Sequence, residues 1–340
     1  MNLSDYFEQI IRGEHLNKEQ MQNIMQNCLE GQLSTAQLAS FLALMRMKGE
    51  TIDELTTAAQ VMKHHAHTID LGDDLVDIVG TGGDGRNTFN ISTFTSFVTA
   101  GAGVRVAKHG NHSVSSKSGS ADLLIAAGFE LILSDDAIQH CIDKSGMTFL
   151  FAPRFHQAMR HAKEARSELK IKTLFNLLGP LLNPAGVKQQ VVGVFHKKWM
   201  RPVAEVLVNL GSQHTLVVHS RDGLDEASVA DITDVIEYSD GQFKDWGIDP
   251  SEHGCYHASL DDLIVESPAE SLALGLSVLE GSQGPARDIA SLNAALALLA
   301  ANKCNTLDEG LTLAHTSIDS GEALKRFHLL RDLTQRYKND

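Results

Sequence analysis

Apolar positions recur at helical spacing through the first 70 residues. Leu38, Phe41, Leu42 and Met45 fall at i, i+3, i+4 and i+7, the stripe of an amphipathic helix. Three capping signals punctuate the same stretch. Asn17 is followed by Gln20, Ser34 by Gln37 and Thr51 by Glu54, the capping-box spacing or a near variant of it. Gly31 and Gly49 stand where the second and third of these helices should stop. The pattern predicts a small all-helical unit over residues 1–70. Its apolar stripe is core, or in so small a unit also a dimer face.

Near residue 71 the period changes. Short β-rich runs begin to alternate with helical ones: Leu75–Val79, Gly103–Ala107, Phe129–Leu133, Met147–Phe151, Gln190–Phe195 and Thr215–His219. Helical stretches separate several of them, among them Thr93–Ala100, Asp135–Lys144 and Arg201–Leu210. This alternation predicts an α/β fold with a central, mostly parallel sheet flanked by helices. A helical insertion around Ala162–Leu182 interrupts it. Residues 71–164 and 191–340 then form the larger α/β domain, and about 165–190 joins the helical unit. No repeat, low-complexity tract or long linker is visible.

Composition narrows the function classes. The chain has 29 Lys and Arg against 43 Asp and Glu, a net charge of −14. An extended nucleic-acid surface needs basic residues to neutralise phosphates, and anionic membranes repel an acidic chain. The apolar fraction of 43% supports a substantial core. The four cysteines, Cys28, Cys141, Cys255 and Cys304, are too scattered for a disulfide framework or a Cys-based zinc site. With no secretory signal and no membrane-length apolar run, the expected location is cytoplasmic. His64, His65 and His67 lack a partner carboxylate at ligand spacing and read as a solvated helix end.

Four loops carry candidate chemistry. Gly80-Thr81-Gly82-Gly83-Asp84-Gly85 follows an apolar strand and precedes a helix, which makes either a tight turn or an anion site. It is neither a Walker A loop nor a dinucleotide fingerprint. Thr88, Asn90, Ser92 and Thr93 cluster at the next helix start, able to cap it or to meet phosphate or metal. Lys108 to Ser120 holds two Lys, two Gly and five Ser and almost nothing to bury. It is a solvated loop or a polyanion cradle. Asp225 and Glu226, after a strand, are two solvated acids or an Mg²⁺ site. Arg166 is a surface charge unless an acidic ligand lies beside it.

Taken in order and spacing, the motifs Gly80-Thr81-Gly82-Gly83-Asp84, Asn90-Ile91-Ser92-Thr93, Lys108-His109-Gly110-Asn111, Asn183-Pro184-Ala185, Asp222-Gly223-Leu224-Asp225-Glu226 and Gly284-Pro285-Ala286-Arg287-Asp288 resemble the anthranilate phosphoribosyltransferase family along almost the whole chain. The resemblance implies transfer of phosphoribose from 5-phosphoribosyl 1-pyrophosphate (PRPP) to anthranilate, releasing pyrophosphate, the second step of tryptophan biosynthesis from chorismate. It implies one or two Mg²⁺ per subunit, a homodimer through the helical domain, a site in the cleft between the domains, and no nucleic-acid or membrane partner.

Residue by residue, Gly80, Gly83, Asp84, Thr88, Asn90, Ile91, Ser92 and Thr93 match PRPP positions. So do Lys108, His109, Gly110, Asn111, His112, Ser113, Val114, Ser115, Ser116 and Ser120 of the closing loop. Gly80, Asn111 and Arg166 match anthranilate contacts. Ser92, Asp225 and Glu226 match the metal ligands. No catalytic base is assigned; Lys108 and His109 are the candidates, with packing as the alternative for His109. Lys108, Lys117 and Arg166 are expected to gather positive charge in the cleft. His112 and Gln157 depart from the family pattern, Gln157 standing where a Pro borders the aromatic-acid channel. A pyrimidine nucleoside phosphorylase and a non-catalytic nucleic-acid-binding relative share this fold. The Asn183 motif and the Asp225–Glu226 pair argue against the first, and the net charge argues against the second.

Overall fold

The computed structural model describes residues 3–113 and 117–338. Four helices open the chain: α1 (Leu3–Ile11), α2 (Lys18–Leu29), α3 (Thr35–Lys48) and α4 (Ile52–His64). All three expected capping boxes form. The Asn17, Ser34 and Thr51 side chains each accept from the backbone N–H three residues on, and Gln20, Gln37 and Glu54 reach back. Gly49 ends α3 at φ 89°, a conformation that excludes most side chains. The Leu38–Met45 stripe is fully buried as core.

The α/β part follows as β1 (Leu75–Gly80), α5 (Ile91–Gly101), β2 (Arg105–Gly110), α6 (Ser120–Ala126), α7 (Asp135–Ser145), β3 (Met147–Phe151) and α8 (Ala152–Phe155). The insertion comprises a 3-10 turn at Gln157–Ala162, α9 (Lys163–Leu169), α10 (Leu174–Leu178) and a 3-10 turn at Gly179–Leu181. Then come β4 (Gln189–Gly193), α11 (Met200–Asn209), β5 (His214–Ser220), β6 (Thr233–Ser239) and β7 (Gln242–Ile248). Helices α12 (Pro268–Leu279), α13 (Pro285–Ala300), α14 (Leu307–Asp319) and α15 (Glu322–Arg336) close the chain.

The seven strands form one sheet in the order β3-β2-β1-β4-β5-β6-β7. The first five are parallel, and β6 and β7 add an antiparallel hairpin at one edge. Chain order reverses between β1 and β4. In open α/β sheets such a switch point places a crevice at the strands' carboxyl ends.

Three sequence expectations need correction. The Phe129–Leu133 run is not a strand. Phe129, Leu131 and Leu133 are buried and Ile132 is exposed, but Glu130 Oε1 accepts from the N–H groups of Leu131 and Ile132, so a side chain replaces ladder partners. The second strand begins at Arg105 because Gly103 forms the turn after α5 at φ 87°. The β6–β7 hairpin has no counterpart among the expected strands. It turns at Asp240-Gly241, both at positive φ.

Two apolar cores result. One lies between the sheet and α5, α7 and α13–α15. The other joins α1–α4 and the insertion to α11, and continues onto Val192 of β4, Val217 of β5 and Ile236 of β6. The insertion is tied to the N-terminal helices by polar contacts as well. Thr35 Oγ1 donates to Glu164 Oε2 at 2.7 Å, and the Arg46 guanidinium donates to the Lys172 carbonyl.

Candidate active site

A cavity of about 290 Å³ opens where the topology places it, at the carboxyl ends of β1 and β2 and beside the loop after β5. The Gly-rich turn after β1 forms one wall. Gly82 and Gly83 sit at φ 64° and 71°, which lets the chain fold back over the site. The acidic loop approaches so closely that a Cβ at Gly193 would lie 1.5 Å from the Asp225 carbonyl oxygen. Asp225 Oδ2 accepts from Gly82 N–H at 2.6 Å, so this amide already has a partner. From behind, Asn293 of α13 grips Ala227 at both main-chain groups. Its Oδ1 accepts from Ala227 N–H and its Nδ2 donates to Ala227 O, each at 2.9 Å.

Carboxylate oxygens of Asp84, Asp225 and Glu226 lie within 4.8 Å of one another. Among the described residues this is the only cluster of His, Cys, Asp or Glu with metal-ligand spacing. Burial, then the Asp84 charge, pushes the Asp225 carboxyl up to about 7. Burial and the neighbouring Asp225 push Glu226 well above the usual carboxylate range, while Lys108 opposes the rise. Hard oxygen ligands that repel one another when empty suit Mg²⁺, and the trio fits such an ion.

Most predicted residues converge here. Gly80, Gly83, Asp84 and Thr88 line the cavity, as do Asn90 and Ser92 at the N-terminus of α5. Lys108 to Ser113, Ser120, Arg166, Asp225 and Glu226 complete the set. Ile91 and Thr93 do not join it; both side chains are buried in the core behind the helix start. Val114, Ser115 and Ser116 lie outside the described residues.

Several of these side chains have partners within the protein. Asn90 ties the loop to its surroundings. Its Oδ1 accepts from Ser118 Oγ and Ser271 Oγ, both at 2.8 Å, and its Nδ2 donates to Ser118 O. Lys108 lines the cavity, but its ammonium turns inward. It is 2% exposed, and its Nζ donates to Ile78 O at 2.6 Å and Ser92 Oγ at 3.2 Å. Burial lowers its pKa to about 8 against the pull of Asp77 and Glu226. Lys117 pairs with Glu266 on the surface at 2.8 Å. His112 Nδ1 meets Asp122 at 2.6 Å. Gln157 is exposed at the start of a 3-10 turn and is not part of the cavity wall.

His109 is 4% exposed and packs against His156 with the rings tilted, centroids 5.2 Å apart. Burial first, then His156 and Lys108, drives its pKa well below the usual value, so the ring is neutral. Its Nε2 has no hydrogen-bond partner. Arg166 of α9 is half-buried over the Phe175 ring at 5.6 Å, and no carboxylate among the described residues pairs with it. That leaves an anion-binding fork at the cavity. Its guanidinium pKa is lowered by burial, yet it stays charged.

Residue types alone do not reveal Asn293, Asn87 or the wall formed by Phe175, Asn176, Gly179 and Pro180. The last four belong to a run whose Gly-Pro pair signals only a helix end. Asp84 is expected at the sugar diphosphate; the fold also brings it to the acidic pair.

Comparison with known proteins agrees with this geometry. Residues 4–66 match the helical bundle domain, and residues 72–324 the a/b domain, of the glycosyl transferase family. The anthranilate phosphoribosyltransferase of Legionella pneumophila (strain Paris) is 57% identical over 329 residues, covering 97% of this chain and 96% of that one. The crystal structure of the Thermus thermophilus anthranilate phosphoribosyltransferase superposes with a TM-score of 0.90 at 38% identity, covering 98% of this chain and 100% of that one. The Saccharomyces cerevisiae enzyme in complex with PRPP and Mg gives a TM-score of 0.90 at 28% identity, covering 98% of each chain. The chain belongs to the anthranilate phosphoribosyltransferase family.

Proposed function

We propose that this protein transfers the phosphoribosyl group of PRPP to the amine of anthranilate and releases pyrophosphate. The observation that carries the reading is the meeting, in one cavity, of the Asp84–Asp225–Glu226 cluster with the free guanidinium of Arg166. The first suits a diphosphate-bound cation and the second a carboxylate.

Departure of pyrophosphate builds negative charge on the leaving group and positive character on the sugar. Catalysis is therefore mostly positioning and charge stabilisation. Asp84, Asp225 and Glu226, with Ser92 at the start of α5, would hold one or two Mg²⁺; such an ion neutralises charge on the diphosphate. The N-terminus of α5 and the amides of the Gly-rich turn face the same charge, except those of Thr81 and Gly82, which Gly193 O and Asp225 Oδ2 occupy. Arg166 and Asn111 orient anthranilate. The arylamine is already neutral at pH 7, so no strong general base is required. His109, neutral and with Nε2 unpartnered, can accept a hydrogen bond from the amine or take its proton late.

Ile11 and Met47, on α1 and α3, are large apolar side chains 55% and 75% exposed. We read this face of the helical unit (residues 1–70 with about 165–190) as a homodimer interface. Residues 71–164 and 191–340 then carry the phosphoribosyl site. None of the described helices is long and apolar enough to cross a membrane.

The reading is tested by following anthranilate fluorescence with PRPP and Mg²⁺. Decay that requires both additions supports it. No decay at micromolar enzyme overturns it.

A further inference from the structure

β1 and β2 pair only at Leu75↔Arg105 and Val76↔Val106, and then part. Their outer ladders continue: β1 pairs with β4 as far as Gly80, and β2 with β3 as far as Gly110. The gap therefore opens at the carboxyl ends that carry the cavity walls. Parting strands leave buried main-chain groups without ladder partners, at a cost of about 1–3 kcal/mol each.

Here side chains fill that role. Asp77 Oδ1 accepts from His109 N–H at 3.1 Å. Asn183 Nδ2 donates to Ala107 O at 2.7 Å and to Asp77 Oδ2 at 2.8 Å. Lys108 Nζ donates to Ile78 O at 2.6 Å. Asp77, Lys108 and Asn183 are 0%, 2% and 8% exposed, so water does not substitute for them. Asn183 Oδ1 accepts from Ala185 N–H, which fixes the amide's orientation.

We propose that Asp77 is a positioning residue for phosphoribosyl transfer: with Asn183 and Lys108 it forms a polar wedge that sets the separation of the two strand ends bearing the site. The kinetic part of this inference rests on the transferase reading; the structural part does not. The wedge also accounts for Lys108 lying beneath the cavity floor. Its ammonium is one strut of the opening and sits under Ser92.

The test compares Asp77→Ala and Asp77→Asn with wild type at a temperature where circular dichroism shows each fully folded. Asn still offers an acceptor to His109 N–H, but sets an amide against that of Asn183. The expected result is a fall of about a hundredfold in kcat/KM for PRPP in the Ala variant and a smaller one in the Asn variant. Faster deuterium uptake over residues 106–111 accompanies both. If Asp77→Ala does not fold, Asn183→Ser provides the same two readouts. Kinetics within about twofold of wild type despite faster exchange would make the wedge merely structural and overturn the inference. Lost activity with unchanged exchange overturns it too. If wild type itself transfers nothing, the transferase reading fails and takes the positioning role with it, while exchange still decides whether Asp77 holds the strands.

Discussion

Glu54 anchors the N-terminal helices through a buried ion pair whose loss should be large. It is 1% exposed, and the side chains of Lys48 and Glu54 are 2% and 0% exposed. Lys48 Nζ lies 2.7 and 3.0 Å from its two oxygens. The carboxylate also accepts from Leu16 N–H at 2.8 Å, Thr51 N–H at 2.9 Å and Thr51 Oγ1 at 3.2 Å. Glu54→Ala leaves the Lys48 ammonium in a dry site without its counter-charge, held only by Gly49 O and His15 Nδ1, which costs about 3–5 kcal/mol. It also removes the reciprocal half of the α4 capping box, worth about 1 kcal/mol. The expected loss is about 4–6 kcal/mol, a large part of the total stability of an ordinary domain. Lys48→Met should cost less, because three protein donors still serve the carboxylate. The double variant Lys48→Met/Glu54→Leu should recover much of the loss by removing both charges. Urea unfolding followed by circular dichroism and by the fluorescence of Trp199 and Trp246 measures each value. A loss below about 1 kcal/mol in Glu54→Ala would place this pair with exposed ones and refute the reasoning.

Magnesium should stabilise the protein in a pH-dependent way. The Asp225 pKa is raised to about 7 and that of Glu226 is raised as well, so protonation favours the folded state. That contribution is present at low pH and lost as pH rises through about 7. Mg²⁺ should then raise the melting midpoint little at about pH 5 and by several degrees above about pH 8; equal shifts at both would contradict it. Arg166→Ala should raise KM for anthranilate about ten- to a hundredfold, with KM for PRPP within about twofold. Equal losses for the two substrates would remove Arg166 from the anthranilate site. Gly193→Ala drives a methyl into the Asp225 carbonyl and should raise the Mg²⁺ concentration needed for half-maximal activity about tenfold or more. An unchanged metal titration would show that the acidic loop can shift without consequence.

Local rules make much of this chain legible. The three capping boxes lie within four residues each, so residues 17, 34 and 51 announce their helices without help from the fold. Met147–Phe151 is wholly buried and apolar but for Thr148, and its limits can be read to the residue. The β6–β7 hairpin escapes because its edge position admits Asp234, Glu237, Lys244 and Asp245, which break the apolar run. The Phe129–Leu133 alternation is real, but only tertiary structure reveals that no strand lies beside it. The site divides in the same way. Motif order locates the cavity, yet the inward turn of Lys108, the Asn90–Ser118–Ser271 knot and the Asn293 clamp link residues 16 to 181 positions apart. No local pattern encodes such pairings.

The continuous core that runs from α1–α4 through α11 onto β4, β5 and β6 bears on how the chain can be divided. A cut at residue 70 falls in a connecting segment and looks harmless on paper. It would nonetheless strip the cover from Val203, Ala204 and Leu207 and leave a wet apolar face beside the sheet. Chimaeras that exchange the N-terminal helices between relatives therefore inherit a packing problem rather than a linker problem. The parts to be exchanged together are the N-terminal helices, the insertion and the outward face of α11, a single packing unit although its pieces are scattered along the sequence.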